Sequence, residues 1–585
     1  MNTANEKTAA LRTRMKEEGL DGFLIPKADG YQGEFLAPYA ERLKWLTGFS
    51  GSAGVAVILN DKACVLTDGR YRLQVSQEID TDIFKTGDSV KLGVHGWLKE
   101  HAEEGAVIGY DPWLHTPDQI QKIKDEAPHV RLNPVSKNLI DEIWTDQPEK
   151  PCGQVQAFDE KVAGQSFEKK KKQVAALIKK EGAQAAIITL PDSICWLLNM
   201  RGQDINYIPS VLSYAVIYAD ESKPLEWIVD PQKVADLKLE EGINVAALNA
   251  LENLKGRVLL DFARSPIWFK SALEEGGAEA MNAKDPSIDL KAIKSEAEFE
   301  AIKRAHILDG VALSKFLYWA KTTNSFTEVD VNAKLLELRG KHPAFQKPSF
   351  PTIAGFGRNG AIIHYRATEK TSINVKGDGL LLVDSGGQYY GGGVAGTTDI
   401  TRTIAIGKPS AEMINRFTLV LKGHIALAMA HFPEGTSGQQ IDTLARQPLW
   451  NEELDYAHGT GHGVGCYLAV HEEAASISPR GKEAFKPGML ISNEPGYYKE
   501  GEYGIRIENL VFVKEAGRCA DTDAQMLQFE TISYAPIDRQ LIDKELLSAE
   551  EIAWLNEYHS QVYTLISPSL NADEHGWLKS ETAPL

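Results

Sequence analysis

Three histidines and four glycines fall within fifteen residues of the chain's last third, His458-Gly459-Thr460-Gly461-His462-Gly463-Val464-Gly465 followed by Val470-His471-Glu472. Glycine lets backbone and ligand approach closely. Imidazole titrates near neutral pH and binds metals. Packing alone does not call for such a run, although a loop whose histidines satisfy local hydrogen bonds would also contain one.

Carboxylates flank this stretch on both sides. Leu380-Leu381-Leu382-Val383 is a short apolar strand ending in Asp384, which places a carboxylate at a sheet's rim. After the glycine-rich tip Tyr390–Gly396 the chain returns through Thr397-Thr398-Asp399-Ile400, so a hairpin with an aspartate on each arm is predicted. Glu494 (Ile491-Ser492-Asn493-Glu494-Pro495) and Glu508 (Gly504-Ile505-Arg506-Ile507-Glu508) stand in apolar, strand-like surroundings. Burying one ionised carboxylate costs several kcal/mol unless it is paired or metal-bound. The competing arrangement is a set of separate ion pairs, with Arg402 and Arg506 as partners.

Taken together, Asp384, Asp399, His462, Glu494 and Glu508 offer four carboxylates and one imidazole, a set that suits two divalent ions sharing bridging oxygens. Oxygen-rich ligation favours manganese, with zinc, cobalt or iron compatible. Such a centre lowers the pKa of a bridging water and polarises a carbonyl, as amide hydrolysis requires. His364, directly after the apolar run Ala361-Ile362-Ile363, is expected at a strand's end.

The elements that position these residues can be read along the chain. A length of 585 residues implies about three or four domains. Residues 7–18 have helical spacing stopped by Gly19, and Gly22–Pro26 reads as a buried strand. The phrase Lys16-Glu17-Glu18-Gly19-Leu20-Asp21-Gly22-Phe23-Leu24-Ile25 is echoed by Lys179–Ile188, and Trp45–Phe49 by Trp196–Met200. Each echo leads into paired strands, Val55–Leu59 with Ala63–Thr67 and Tyr214–Tyr218 with Glu226–Val229. Two α/β domains related by duplication are therefore expected. Linker-like stretches at residues 147–151 and 283–287 divide the chain into 1–150, 151–287 and 288–585, the last with a C-terminal extension from about 525. Ser295-Glu296-Ala297-Glu298 fits a capping box, followed by apolar residues at helical spacing from Phe299 to Trp319. The first half contains no convergent set of histidines and carboxylates, so assembly and closure of one side of the site are its expected roles. Lys169–Lys172 reads there as a solvated helix face.

A net charge of -18 disfavours nucleic acid and anionic membrane surfaces as partners. Five scattered cysteines without CxxC spacing point to a reducing compartment and away from a thiolate metal site. With no signal-like N-terminus and no apolar run of membrane-spanning length, a cytoplasmic location is expected. No P-loop or Rossmann fingerprint competes with the metal reading.

These motifs, with Ala445-Arg446-Gln447-Pro448-Leu449-Trp450 and Phe529–Ile537, resemble the pita-bread metallopeptidases, and among them the long, three-domain cytosolic aminopeptidase P group. The resemblance implies two creatinase-like N-terminal α/β domains before a pita-bread catalytic domain. It implies a dinuclear enzyme, with two Mn2+ (Zn2+ or Co2+ as substitutes), that removes the residue preceding proline by attack of a metal-bridging hydroxide. The alternatives are a prolidase restricted to Xaa-Pro dipeptides and a non-catalytic peptide-binding protein on the same fold. By position, Asp384, Asp399, His462, Glu494 and Glu508 match the ligands, with Asp399 and Glu508 bridging. Glu494 also matches the proton acceptor, and His364, His458 and His471 the histidines that steady the substrate carbonyl. Arg506 and Tyr497 fall beside the proline-binding region. A homodimer through the catalytic domain is implied, with the helix after Ser548 contributing. Two departures stand out: the Asp384–Asp399 hairpin is longer and richer in glycine than the family pattern, and Glu473-Ala474 replaces the usual Gly-Pro.

Overall fold

The computed structural model describes residues 3–585, which divide into two compact units. The first unit comprises the residues up to Asp159 together with Gln165–Ile288. It contains two six-stranded sheets of one design. In chain order the strands of the first are Gly22–Pro26, Val55–Leu59, Ala63–Thr67, Lys85–Asp88, Val107–Tyr110 and Arg131–Pro134. Those of the second are Ala185–Ile188, Tyr214–Tyr218, Leu225–Ile228, Ile243–Ala246, Gly256–Leu260 and Ala278–Asn282. Both sheets have the spatial order 4-3-2-1-5-6, with the same alternation of antiparallel and parallel neighbours. This match of topology accounts for the echo between the two stretches of sequence.

Two local expectations change. The first helix is Ala4–Glu17, starting before residue 7 because Thr3 and Glu6 close a capping box. Lys170 and Lys171 are buried rather than solvated. The Lys170 ammonium donates to Trp196 O (2.8 Å) and Asn199 Oδ1 (2.6 Å) at the end of the helix Pro191–Leu198, and Lys171 donates to the carbonyls of Glu221 and Lys223. Long lysine stems can lie against apolar surface while the ammonium finds carbonyls.

In the second unit, Glu160–Gly164 with Asp289–Leu585, two of the sheets are each backed by a pair of helices. The helices Glu296–Thr322 and Glu328–Arg339 pack Leu313, Phe316, Leu317, Val331 and Leu335 against Phe356, Leu381, Val383 and Ile404 of the sheet Ile353–Phe356/Gly379–Ser385/Ile400–Ile406. The first of these helices opens with the expected capping box at Ser295. The helices Ala411–Ala428 and Gly438–Trp450 pack Leu427, Ile441 and Ala445 against Ile477, Ile491, Val511 and Leu527 of a six-stranded sheet. That sheet contains Gly461–Gly463, Glu472–Ile477, Leu490–Asn493 and Asn509–Arg518. Full burial of each such side chain contributes about 1.5–3 kcal/mol, so the two layers form a rigid frame for whatever stands at their rims.

The helix Ala549–Ile566 turns Leu555, Tyr558, Val562 and Ile566 into a core cluster of this unit. Among the described residues, no helix is long and apolar enough to cross a membrane.

Candidate metal centre

Asp384 lies near the end of the strand Gly379–Ser385, paired with Thr401 of the strand Ile400–Ile406, and Asp399 immediately precedes that partner strand. The expected hairpin with an aspartate on each arm is present as one long hairpin, its register running on from Ser385 opposite Ile400 to Gln388 opposite Thr397 and Gly391 opposite Val394. Between the aspartates the chain leaves the sheet as a second strand pair, Gly387–Gly391 with Val394–Thr397. Glu494 follows the strand Leu490–Asn493, and Glu508 sits between Tyr503–Arg506 and Asn509–Arg518. His462 is the middle residue of the three-residue strand Gly461–Gly463, at a bulge in its pairing.

Glycine is required beside His462. A Cβ at Gly461 would lie 2.0 Å from Ser492 O, and one at Gly463 would lie 2.8 Å from Glu472 O, both inside contact distance. The glycines let the histidine strand slot between its two neighbours. Arg446, on the helix Gly438–Trp450, holds the preceding loop by donating to Tyr456 O (2.8 Å) and His458 O (2.7 Å).

One ligand atom each from Asp399, His462 and Glu508 lie within 4.8 Å of one another. His462 Nδ1 is 2.9 Å from Gly463 O, which assigns the ring proton to Nδ1 and leaves a lone pair on Nε2. That nitrogen is 3.5 Å from Asp399 Oδ2 and 3.4 Å from Glu494 Oε1. Asp384 Oδ1 and Asp399 Oδ1 are both buried with no hydrogen-bond partner. Burial, then the neighbouring carboxylates, push Asp399 and Glu508 well above the ordinary carboxylate range. Crowded buried carboxylates, two of them with an unbonded oxygen, beside an imidazole lone pair call for cations, and an oxygen-rich set with one nitrogen fits hard divalent ions.

The supporting bonds aim each donor. Arg506 donates from Nη2 to Asp384 Oδ2 (2.7 Å), from Nε to Thr401 Oγ1 (3.1 Å) and from Nη1 to Tyr498 Oη (2.6 Å). The Thr401 hydroxyl donates to Glu508 Oε2 (2.7 Å), and the Ser492 hydroxyl to Glu494 Oε1 (3.2 Å). Arg402 pairs with neither aspartate. Fully buried, it donates to the carbonyls of Thr401, Glu508, Ala535 and Pro536, tying the C-terminal extension to the site.

The histidines surround this centre differently. His458 Nδ1 meets Gly459 O (2.7 Å), and Nε2 accepts from the Tyr498 hydroxyl (2.9 Å). His471 lies edge-to-face with His462, ring centroids 4.3 Å apart. His364 falls in a turn after the short helical segment Gly357–Ala361, not at a strand's end; Arg506 Nη1 reaches Ile363 O (3.4 Å) beside it.

Arg506 and Tyr497, the residues expected beside the proline, are both buried. Arg506 is 1% exposed and its guanidinium is taken up by protein acceptors. Tyr497 faces the core, packed near Tyr503 and Arg416. Its neighbour Tyr498, which sequence reading passed over, carries the hydroxyl that joins Arg506 to His458. Strand alternation explains the swap, because consecutive residues of Gly496–Lys499 face opposite sides. Arg446 was likewise missed as a support of the histidine loop.

Residues 300–515 match the model of metallopeptidase family M24, and residues 525–585 match the C-terminal region of that peptidase. Residues 7–143 and 146–298 each match a creatinase/prolidase N-terminal domain. The chain belongs to metallopeptidase family M24, with two creatinase-like α/β domains ahead of a pita-bread domain. Within that family it stands with the Xaa-Pro aminopeptidases. It is 38% identical to a probable Xaa-Pro aminopeptidase P of Neosartorya fischeri, over 100% of this chain and 94% of that one. It is 37% identical to one of Paracoccidioides brasiliensis, over 99% of both. A crystal structure of X-prolyl aminopeptidase from Caenorhabditis elegans, described as a cytosolic enzyme with a di-nuclear active site, superposes with a TM-score of 0.92 at 32% identity over 100% of each chain. A prolidase from Pyrococcus horikoshii shares the fold alone, with a TM-score of 0.50 and 22% identity over 64% of this chain and 99% of that one.

Proposed function

We propose that this protein is a dinuclear aminopeptidase that removes the N-terminal residue from peptides with proline in second position. The observation that carries the metal centre is the convergence of Asp399, His462 and Glu508, each with a ligand atom within 4.8 Å of the others, while Asp384 Oδ1 and Asp399 Oδ1 are buried without a partner. Asp384, Asp399, His462, Glu494 and Glu508 would hold two divalent ions, manganese being the match to an oxygen-rich set. Bound there, the ions acidify water and polarise the scissile carbonyl.

The chain's own groups do the rest. The Glu494 carboxylate, oriented by Ser492, takes the proton of the attacking water and returns it to the leaving proline nitrogen. His364 and His471 steady the substrate carbonyl as it becomes an oxyanion, while both ring nitrogens of His458 are engaged within the protein, by Gly459 O and the Tyr498 hydroxyl. Tyr498, donating to His458 Nε2, fixes the tautomer in which Nδ1 carries the proton. Arg506 braces Asp384 and Tyr498 instead of meeting substrate directly. A proline amide is tertiary with φ fixed, so general peptidases handle it poorly and a dedicated site is needed.

Similarity to the full-length Xaa-Pro aminopeptidases supports the substrate class, and the Caenorhabditis elegans enzyme supports a cytosolic, two-metal reading. Peptides are the partners, with a homodimer through the catalytic domain as the assembly; neither nucleic acid nor membrane is expected to engage so acidic a chain. The division at residues 150 and 287 belongs to the same proposal.

The test is hydrolysis of Arg-Pro-Pro beside Gly-Pro by metal-stripped protein with and without manganese. Manganese-dependent release of arginine from the tripeptide supports the aminopeptidase. Turnover of the dipeptide alone would indicate a prolidase, and silence on both with metal bound would indicate a peptide-binding protein.

A further inference from the structure

The loop between His462 and His471 is buried yet irregular: Val464, Leu468 and Val470 are at most 1% exposed, and no strand or helix spans 464–470. Its backbone groups must find partners outside regular structure. Val464 N donates to Leu490 O (3.0 Å), and Gly465 N to Ala469 O (2.9 Å). Leu468 is satisfied by side chains. Its N–H donates to Thr397 Oγ1 (3.1 Å), and its carbonyl accepts from Gln388 Nε2 (2.8 Å) and lies 3.0 Å from Thr397 Oγ1.

Both partners stand on the outer strand pair of the hairpin that joins Asp384 to Asp399. Gln388 and Thr397 are cross-strand neighbours, both fully buried, with Thr397 Oγ1 2.9 Å from Gln388 Oε1. Farther out, Tyr390 stacks on Tyr467 with ring centroids 5.1 Å apart and planes within 10°. Tyr467 has φ +51, a left-handed conformation that a non-glycine residue holds only when its surroundings enforce it. Thus the arm that delivers Asp399 two residues after Thr397 also grips the loop that delivers His471 three residues after Leu468. On its far side His471 is followed by Glu472, whose buried carboxylate pairs with Lys294 and lies 3.4 Å from Lys291 Nζ.

We propose that Thr397, together with Gln388, is a positioning residue that sets the placement of His471 over the His462 ring through the backbone of Leu468. The long hairpin between the aspartates is then a clamp joining the metal-binding arm to the histidine loop. The catalytic part of this inference rests on the aminopeptidase reading above; the geometric part does not.

The experiment uses full-length, manganese-loaded protein. Thr397→Val keeps the shape but removes both hydrogen-bonding functions, and Thr397→Ser restores them. Thr397→Val is expected to lower kcat on Arg-Pro-Pro about tenfold or more with manganese stoichiometry unchanged, Thr397→Ser to recover it, and Thr397→Val to add nothing to His471→Ala. Full additivity with His471→Ala would overturn the proposal. In parallel, on protein loaded with diamagnetic zinc instead of manganese and with histidine labelled at Cε1, the NMR signal lost in His471→Ala identifies His471. It is expected to move in Thr397→Val and in Gln388→Leu but not in Thr397→Ser. An unmoved signal would overturn the clamp even if the protein cleaved no Xaa-Pro peptide, so the two readings fail separately. Should Thr397→Val not fold, Gln388→Leu carries the same test by removing the amide bond to Leu468 O.

Discussion

Arg506 Nη2 lies 2.7 Å from Asp384 Oδ2, while Oδ1 of the same carboxylate is buried and unbonded. One oxygen is thus fixed by a guanidinium fork and the other left facing the centre. Because the fork also reaches Thr401 and Tyr498, one side chain sets the orientation of an aspartate, a threonine and, through Tyr498, a histidine. Arg506→Lys keeps the charge but not the fork. It is expected to lower kcat/KM about 10–100-fold and to weaken metal affinity in parallel, as loss of groups that orient metal ligands does. Steady-state kinetics with metal titration checks this; wild-type values for both would contradict it.

Tyr498→Phe separates orientation from ligation. The substitution removes the hydroxyl that fixes His458 but touches no carboxylate of the centre. The expected result is a fall in kcat of about tenfold or more, within the range for loss of a positioned polar group. Metal content should stay unchanged. Tyr497→Phe, one residue earlier and facing the core, should leave kcat near wild type.

Asp399 contributes to the site against its own stability. In the metal-free protein it is a buried carboxylate crowded by Asp384 and Glu494, and burial raises its pKa. Asp399→Asn removes that charge, so the metal-free variant is expected to be more stable than metal-free wild type by about 1–3 kcal/mol. Added manganese should stabilise the wild type only. Thermal melts of both proteins with and without metal read this out, and equal metal-free melting temperatures would contradict it.

Acid sensitivity has a separate source. His559 and His424 are buried, and burial, then the nearby Arg402 guanidinium, lowers each pKa to about 3. Unfolded, each histidine has a pKa of about 6.5. Between those values the unfolded chain binds more protons than the folded one, so their contribution to stability is present above about pH 6.5 and is lost as pH falls toward 3. His559→Gln can still accept from Ile537 N, as Nε2 does at 3.1 Å. Its stability should fall less steeply between pH 6 and 4.5 than that of wild type, by about 1 kcal/mol per pH unit. Parallel slopes would contradict the assignment.

How much of this was legible in the sequence depends on what each element had to reveal. The repeated strand order of the first unit was visible because a helix–strand–hairpin phrase recurs with its turn residues. The acidic set was visible because Asp384, Glu494 and Glu508 interrupt apolar strands, where a carboxylate must be paired or metal-bound. Tyr498 was not, since Gly496-Tyr497-Tyr498-Lys499 offers two adjacent tyrosines and no polar–apolar alternation to tell which faces the centre. Lys170 and Lys171 were misread because a lysine run signals solvent until a carbonyl such as Trp196 O, distant in sequence, is placed against it. The clamp on Leu468 was invisible for the same reason: Thr397 and Leu468 are 71 residues apart and meet only through the fold.

The measurement that tests the central claim most directly is calorimetric titration of metal-stripped wild type and Asp399→Ala with manganese, with Arg-Pro-Pro cleavage followed on the same samples. Two manganese ions per wild-type chain, with cleavage appearing as the sites fill and both properties lost together in Asp399→Ala, is the predicted result. An Asp399→Ala protein that binds two ions and retains full cleavage would show that the buried carboxylate cluster is not the catalytic centre.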